Sequence, residues 1–360
     1  FENKKAMQAS FVPEEITHRD EQVDQVAGIL APSLKVEKPS NIFIYGKTGT
    51  GKTLSVRYVT NHMLEVAKQN NIPLKVFYIN CKLKRVVDTE YRLIAEIARF
   101  FGKTIPATGL PTDEVYNIFY KALDEKEQLL LLILDEVDHL VKKTGDEIIY
   151  NLTRINSELK KAQLSIIGIS NDLMFANHID PRVKSSLSEE EILFPPYNAL
   201  QIQDILRNRA NITFKDSALE EGVIPKCAAY AAREHGDARR AIDLLRVAGE
   251  IADRGQSKKV EIKHIDEAEE KIERERIVDI VKTQPKQFQV TLASIFSLSG
   301  KNGSKAVFTG DVYDVYKGFC PATGLRPITQ RRLSDIIGEL DMLGLINAKV
   351  ISKGRFGRTR

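Results

Sequence analysis

The sequence predicts an α/β protein: a parallel sheet domain, then a small helical unit, then a terminal winged helix. Three observations carry this reading. Apolar strand-like stretches alternate with helical ones through the first half. Past Pro195-Pro196 the strands almost vanish and helical spacing takes over. The last segment joins an amphipathic helix to a short apolar run and a basic, glycine-containing turn. A chain of 360 residues exceeds one ordinary core, so several domains are expected, with bounds at 1–196, 197–273 and 274–360.

The elements follow in order. Residues 11–30 read as a loop and then a helix: Pro13 precedes Ile16, Val23, Val26, Ile29 and Leu30, which recur at helical spacing. Strands are expected at 41–45, 75–80, 129–134 and 164–169, with helical stretches between them. Strands apolar on both faces belong to a parallel sheet covered on both sides. Helices are expected at 199–210, 223–234 and 238–253, inside a helical unit from Asn198 to about Lys271. The charged run 269–276 should bridge to a third unit of several short helices, with a linker at 300–303 and a closing hairpin.

Composition narrows the classes. The apolar fraction is 42%, and no run reaches the ~18 apolar residues of a membrane helix, so no membrane partner is expected. The chain opens at Phe1 without the charged, apolar and small-residue pattern of a signal peptide, and a fragment of a longer protein is an open reading. Cys81, Cys227 and Cys320 lie far apart without a C-x-x-C pair, which fits a reducing cytoplasm and no metal or disulfide framework. The net charge of +4 is concentrated. Residues 330–360 hold seven Lys or Arg against three Asp or Glu, an excess equal to that of the whole chain. A localised basic tail fits a polyanion partner, and a solvated surface is the plainer alternative that charge alone does not remove.

The sharpest motif is Gly46-Lys47-Thr48-Gly49-Thr50-Gly51-Lys52-Thr53. It matches G-x-x-x-x-G-K-[ST] between an expected strand and a helix from Leu54 to Lys68, the context that makes the pattern a phosphate site. The glycines let successive backbone N–H groups turn inward, and the helix adds its positive end. Lys52 is expected at the β- and γ-phosphates and the Thr53 hydroxyl at Mg²⁺. Residues 129–134 then run into Asp135-Glu136. Carboxylates at the end of a buried strand are costly unless they have a task. In a phosphate-loop enzyme Asp135 holds Mg²⁺ through water, and Glu136 orients and deprotonates the attacking water. Asp138 reads as structural. The next strand ends at Ser170-Asn171-Asp172, where Asn171 could help position the water.

With these residues in place the chain resembles an AAA+ ATPase of the initiator type, and more closely the archaeal origin-recognition and cell-division-cycle proteins. The resemblance runs from Phe11-Val12-Pro13 to the C-terminus, and GDARRAIDLLRVAGEIA and TQRRLSDIIGELDMLG carry its family-specific part. It implies an AAA+ domain, a helical lid and a winged helix, binding ATP or ADP with Mg²⁺. It implies that Arg182, in DPRVKSSL, is an arginine finger supplied to a neighbouring subunit. It makes Arg239, in GDARR, the sensor arginine of the lid. It places Tyr197, Arg209 and Leu54 beside the nucleotide, and Val12 with the segment to Ile16 against the adenine. It also implies a DNA-touching helix somewhere in 82–101, where Lys82, Lys84 and Arg85 are basic.

The terminal unit reads as a winged helix from its own residues. Thr329 is an N-cap, Gly344 a stop, and Leu333, Ile336, Ile337, Leu340 and Leu343 form one apolar face. Gln330, Arg331 and Arg332 start the other face, against the helix dipole, as in a recognition helix whose first turn meets a major groove. A strand at 346–351 leads to Lys353, Arg355 and Arg358 around Phe356, a wing suited to a minor groove. The returning strand is expected to be missing. A winged helix used for protein contact is the alternative.

The function expected from the resemblance is an ATP-dependent DNA replication initiator. It would bind double-stranded origin DNA beside paralogous initiator subunits and help recruit or load the replicative MCM-type helicase. It would be cytoplasmic and nucleoid-associated, with weak hydrolysis as a state switch. A nucleotide-regulated winged-helix transcription factor and a ring-forming motor are the alternatives.

Overall fold

Five parallel strands, β1 (Ile42–Tyr45), β2 (Leu74–Asn80), β3 (Gln128–Asp135), β4 (Ala162–Ser170) and β5 (Glu190–Leu193), stand in the order β2-β3-β4-β1-β5. The computed structural model describes residues 1–360 apart from 9–10, 14, 83–88, 107, 188, 303–306, 350, 353–357 and 360, and its side-chain description also omits 176–177, 300–302, 351–352 and 358–359. The four expected strands form, and β5 is an addition. Its pattern is exposed apart from Ile192, as befits an edge strand, so no apolar run announces it.

All eight residues of β3 are buried. Side chains alternate across a strand, so this run serves two cores. Leu130, Leu132 and Leu134 face a cluster with Leu93, Ile94, Phe119, Leu140 and Ile149. Leu129, Leu131 and Ile133 face another with Val26, Leu30, Val56 and Val59. Each fully buried Leu or Ile contributes about 1.5–3 kcal/mol over an exposed one. The first face carries α3 (Glu90–Phe100), α4 (Thr112–Leu123), α5 (Val137–Thr144) and α6 (Glu147–Arg154), whereas α1 (Asp20–Leu30) and α2 (Lys52–Gln69) cover the second. Short α7 (Phe175–His178) and α8 (Pro181–Leu187) follow β4.

The register sets where chemistry can occur. Tyr45 of β1 pairs with Ser170 of β4, and Asp135 of β3 lies opposite Ile169. The loop after β1, the Asp135-Glu136 pair and Asn171 therefore leave the sheet together at the carboxyl ends of its strands, where ligands of open α/β sheets collect.

The chain divides into two compact units, Phe1–Asp266 and Glu267–Arg360. The first includes α9 (Ala199–Thr213), α10 (Val223–Arg233) and α11 (Ala238–Arg254). Asn198 and Gln201 form a reciprocal capping box at the start of α9. Residues 1–7 pack on this helical unit: the Glu2 and Asn3 N–H groups donate to Thr213 O, Phe1 stacks on Phe214, and Lys4 pairs with Glu250. The expected charged bridge lies within one continuous helix, α12 (Ile262–Thr283).

In the second unit α13 (Lys286–Asn302), α14 (Thr309–Thr323) and α15 (Gln330–Met342) enclose Val290, Leu292, Val312, Tyr316, Leu333, Ile336, Ile337 and Leu340. These helices are longer than expected, and Gly300 belongs to α13 rather than to a linker; Gly303 lies outside the described residues. The strand expected at 346–351 appears only at its end, as β6 (Ile351–Ser352). It pairs antiparallel with β7 (Arg358–Thr359), so the returning strand is present. Among the described residues no helix is long and apolar enough to cross a membrane.

Candidate functional site

The glycine loop leaves β1 and turns into α2. Gly49 (φ +72°) and Gly51 (φ +91°) take left-handed conformations that side chains rarely adopt. Space forbids a side chain as well. A Cβ on Gly49 would run into the Asp237 carboxylate, and one on Gly51 would sit 2.7 Å from the Tyr197 hydroxyl oxygen. Thr50 Oγ1 donates to Lys47 O at 2.9 Å, which staples the loop, while Thr48 is exposed. Helix α2 begins at Lys52, two residues before the expected Leu54, because Gly51 supplies the left-handed turn that starts it.

Lys52 is buried, and its ammonium donates to Gly46 O (2.8 Å), Lys47 O (2.7 Å) and Asn171 Oδ1 (2.9 Å). Three donors meet three acceptors. Burial, and then the nearby Arg239 cation, push its pKa down to about 8. The expected neighbour Asn171 is thus brought onto the lysine.

Asp135 is buried at the end of β3. Its Oδ2 accepts from Thr53 Oγ1 (2.9 Å) and from the Tyr78 hydroxyl (2.6 Å), and its Oδ1 from the Glu136 N–H (3.0 Å). Thr53 and Asp135 thus place two hard oxygen donors side by side, a set suited to Mg²⁺ at one or two positions. Glu136 caps α5 in a left-handed backbone conformation (φ +56°), uncommon for a residue with a side chain. Its buried Oε2 has no hydrogen-bond partner, and Lys82 Nζ and His139 Nε2 each lie 3.6 Å away. A carboxylate kept free of hydrogen bonds can accept a proton from water. Asp138 instead accepts from Ser170 Oγ (3.1 Å) and locks α5 to the end of β4.

The helical unit closes over the loop. Asp237 caps α11 by accepting from the Arg239 and Arg240 N–H groups, and the Ala238 N–H donates to Gly49 O at 3.3 Å. Arg239 lines a cavity with Gly49, Gly51, Thr53 and Tyr197. Val12, Ile16, Leu54, Ile205 and Ile242 add apolar side chains to its lining. A lining that joins the glycine loop and an arginine to apolar side chains suits a nucleotide, which is charged at its phosphates and apolar on its base faces.

Tyr197 and Arg209, both expected beside the nucleotide, line this cavity. The Arg209 guanidinium donates to Ala6 O (2.8 Å) and Phe11 O (3.1 Å) and stacks over Phe11. These bonds hold the segment that carries Val12 against α9. Tyr197 is buried, with the Arg19 guanidinium carbon 3.8 Å above its ring centre. Arg182 is exposed and held by both oxygens of Asp180 (3.1 and 3.0 Å), so it faces outward, as a group serving another molecule would.

In the second unit Thr329 caps α15 by accepting from the Arg332 N–H. Gln330, Arg331 and Arg332 are exposed in the first turn, and Arg332 pairs along the helix with Glu339 at 3.2 Å. Leu343 follows α15 and is exposed, so it leaves the apolar face expected for it. Lys353 and Arg355 lie outside the described residues, as do Lys84 and Arg85, and Arg358 is described only as backbone of β7.

Family models match three stretches: an AAA domain over 36–173, a Cdc6 AAA+ ATPase-type lid domain over 203–270, and a CDC6 C-terminal winged helix domain over 279–360. An ORC1-type DNA replication protein of Pyrococcus abyssi is 55% identical over 364 aligned residues, covering 100% of this chain and 86% of the relative. The chain belongs to the ORC1-type DNA replication proteins. Another member, from Methanosarcina mazei, is 51% identical with the same coverage of both chains. The Aeropyrum pernix ORC1 protein, solved in complex with DNA, superposes with a TM-score of 0.85 at 43% identity, covering 99% of this chain and 92% of that one. Family membership makes this an AAA+ ATPase-type chain, with a parallel sheet, a lid and a winged helix.

Four contributors to this family site were not legible in the sequence. Tyr78, Lys82, His139 and Arg19 sit in β2, after β2, in α5 and ahead of α1. None belongs to a short motif. Only the register of β2 on β3, which pairs Asn80 with Asp135, signals that Tyr78 and Lys82 come close.

Proposed function

We propose that this chain is an ATP-dependent replication initiator. It binds double-stranded origin DNA and, beside paralogous subunits, helps recruit or load the MCM-type helicase. One observation carries the switch: the lid touches the phosphate loop directly, through Ala238 N–H to Gly49 O and Asp237 against Gly49. A change at the phosphates is therefore felt at the first turn of α11. Lys52 and the loop N–H groups bind phosphate oxygens, Arg239 meets them from the lid, and Asn171 and Glu136 orient the water. Glu136 takes the water's proton. Mg²⁺, held by Thr53 and Asp135, would neutralise charge on the phosphates. Arg182 completes a neighbour's site. Hydrolysis is slow because Arg182 serves a neighbour's site and not its own, and it resets the state instead of supplying metabolism. The protein works in the cytoplasm at the nucleoid.

The exposed first turn of α15 supports the DNA reading, with Arg331 facing solvent and Thr329 fixing the helix start. The Aeropyrum relative's complex with DNA supports the same use here. Footprinting on total genomic DNA tests the function: protection at origins supports initiation, and protection only at promoters supports a transcription factor. Arg331→Ala and Arg355→Ala should each reduce the slope of log affinity against log salt by about 1. An unchanged slope removes these residues from the interface.

A further inference from the structure

Arg19 is 3% exposed and forms no ion pair among the described residues. Its partners are neutral. Nε donates to Thr50 O (2.8 Å), Nη1 to His18 O (3.1 Å) and Nη2 to Pro195 O (2.5 Å), while the guanidinium carbon lies 3.8 Å over the Tyr197 ring centre. A buried cation without a carboxylate is expensive to fold, so its position calls for another explanation.

The geometry supplies one. The Thr50–Gly51 peptide is trans, so its C=O and N–H point in opposite directions. Holding Thr50 O on Arg19 turns the Gly51 N–H away from Arg19. Gly51 lines the cavity, and its left-handed φ leaves the peptide free to rotate unless something holds it. Arg19 also holds the carbonyl of Pro195, two residues before Tyr197, whose hydroxyl crowds Gly51. Pro195 to Tyr197 is the connection into α9.

We propose that Arg19 is a positioning residue: it fixes the Thr50–Gly51 peptide so that the Gly51 N–H is preset to donate to a nucleotide phosphate, and it ties that peptide to the segment leading into the lid. The inference rests on the nucleotide reading of the site. A guanidinium is required because its fork reaches three carbonyls while its face lies over a ring; a lysine ammonium keeps the charge and loses this geometry.

ADP binding, measured by titration calorimetry on the full chain with Arg19→Lys and Arg19→Ala, tests this. Both variants should bind ADP at least about tenfold more weakly, the scale of one charge-assisted hydrogen bond. Exchange of the loop amides, followed by mass spectrometry without nucleotide, should speed up in both. A merely structural role would lower the nucleotide-free melting temperature and leave the ADP affinity and the loop exchange of the folded variant unchanged, which overturns the proposal. Full recovery of ADP affinity in Arg19→Lys also overturns it, because charge alone would then suffice. If Arg19→Ala does not melt cooperatively, Arg19→Lys decides. Wild-type protein that binds no ADP sinks the nucleotide reading instead, so the two failures are distinct.

Discussion

The Tyr78 hydroxyl donates to Asp135 Oδ2 at 2.6 Å, the same oxygen that Thr53 reaches from the phosphate loop. The carboxylate is thus gripped from a neighbouring strand and from α2. Burial first, and then the bond to Asp135, push the Tyr78 phenol up to about 12, so it stays a donor throughout the working pH range. Tyr78→Phe should weaken the Mg²⁺ dependence of hydrolysis by about tenfold, the usual penalty for losing a group that orients a metal ligand. Phosphate release titrated with Mg²⁺ checks this, with nucleotide affinity in the absence of metal as the control.

Lys52 predicts a pH dependence. Its pKa is lowered to about 8, whereas an unfolded chain keeps the proton to about 10.5. Between those values the folded protein carries the fewer protons, so this group's contribution to stability rises as pH climbs from about 8 to about 10.5. Nucleotide affinity moves the other way. The phosphates require the ammonium, so binding takes up a proton above pH 8 and should weaken by up to about tenfold per pH unit. Calorimetry in two buffers of different ionisation enthalpy at pH 8.5 reads the uptake directly. Lys52→Ala should abolish binding at every pH.

Glu136 is placed to accept a proton, with Oε2 buried and free of hydrogen bonds. Glu136→Gln keeps the shape and removes the base. Single-turnover hydrolysis should fall by about 10²- to 10⁴-fold while ATP affinity stays within a factor of a few. An equal loss of binding and turnover would mean that the carboxylate only anchors Lys82 and His139.

Gly49→Ala tests the contact between loop and lid. The new methyl meets Asp237 and also forces a left-handed φ on alanine. The folded protein should lose more than about 1 kcal/mol of stability, and ADP should protect it from melting far less than it protects wild type. Thermal melts with and without ADP distinguish the two effects.

Much of the site was legible because it is written in contiguous residues. The loop of Gly46, the Asp135-Glu136 pair after an apolar run, and the Asp237-Ala238-Arg239 cap each declare themselves locally. The misses have the opposite character. β5 is an edge strand with one buried residue, so it shows no apolar run. Arg209 lines the cavity as expected, but its bonds to Ala6 O and Phe11 O come from about two hundred positions away and no local pattern announces them. The wing's second strand is two residues long, too short to show alternation.

The sequence by itself determined the parallel sheet, the helical unit after it, the capped α15 and the chemical types gathered at the glycine loop. Apolar period, glycine placement and capping residues are local quantities, and they act on the backbone within a few positions. The tertiary structure alone decided the partners. Strand order put Asn171 on Lys52 and Tyr78 on Asp135, and the return of the chain after β5 put Pro195 and Tyr197 on Arg19. Each such pair joins groups 57 to 178 positions apart, so only the register of the sheet and the packing of its two faces bring them into contact.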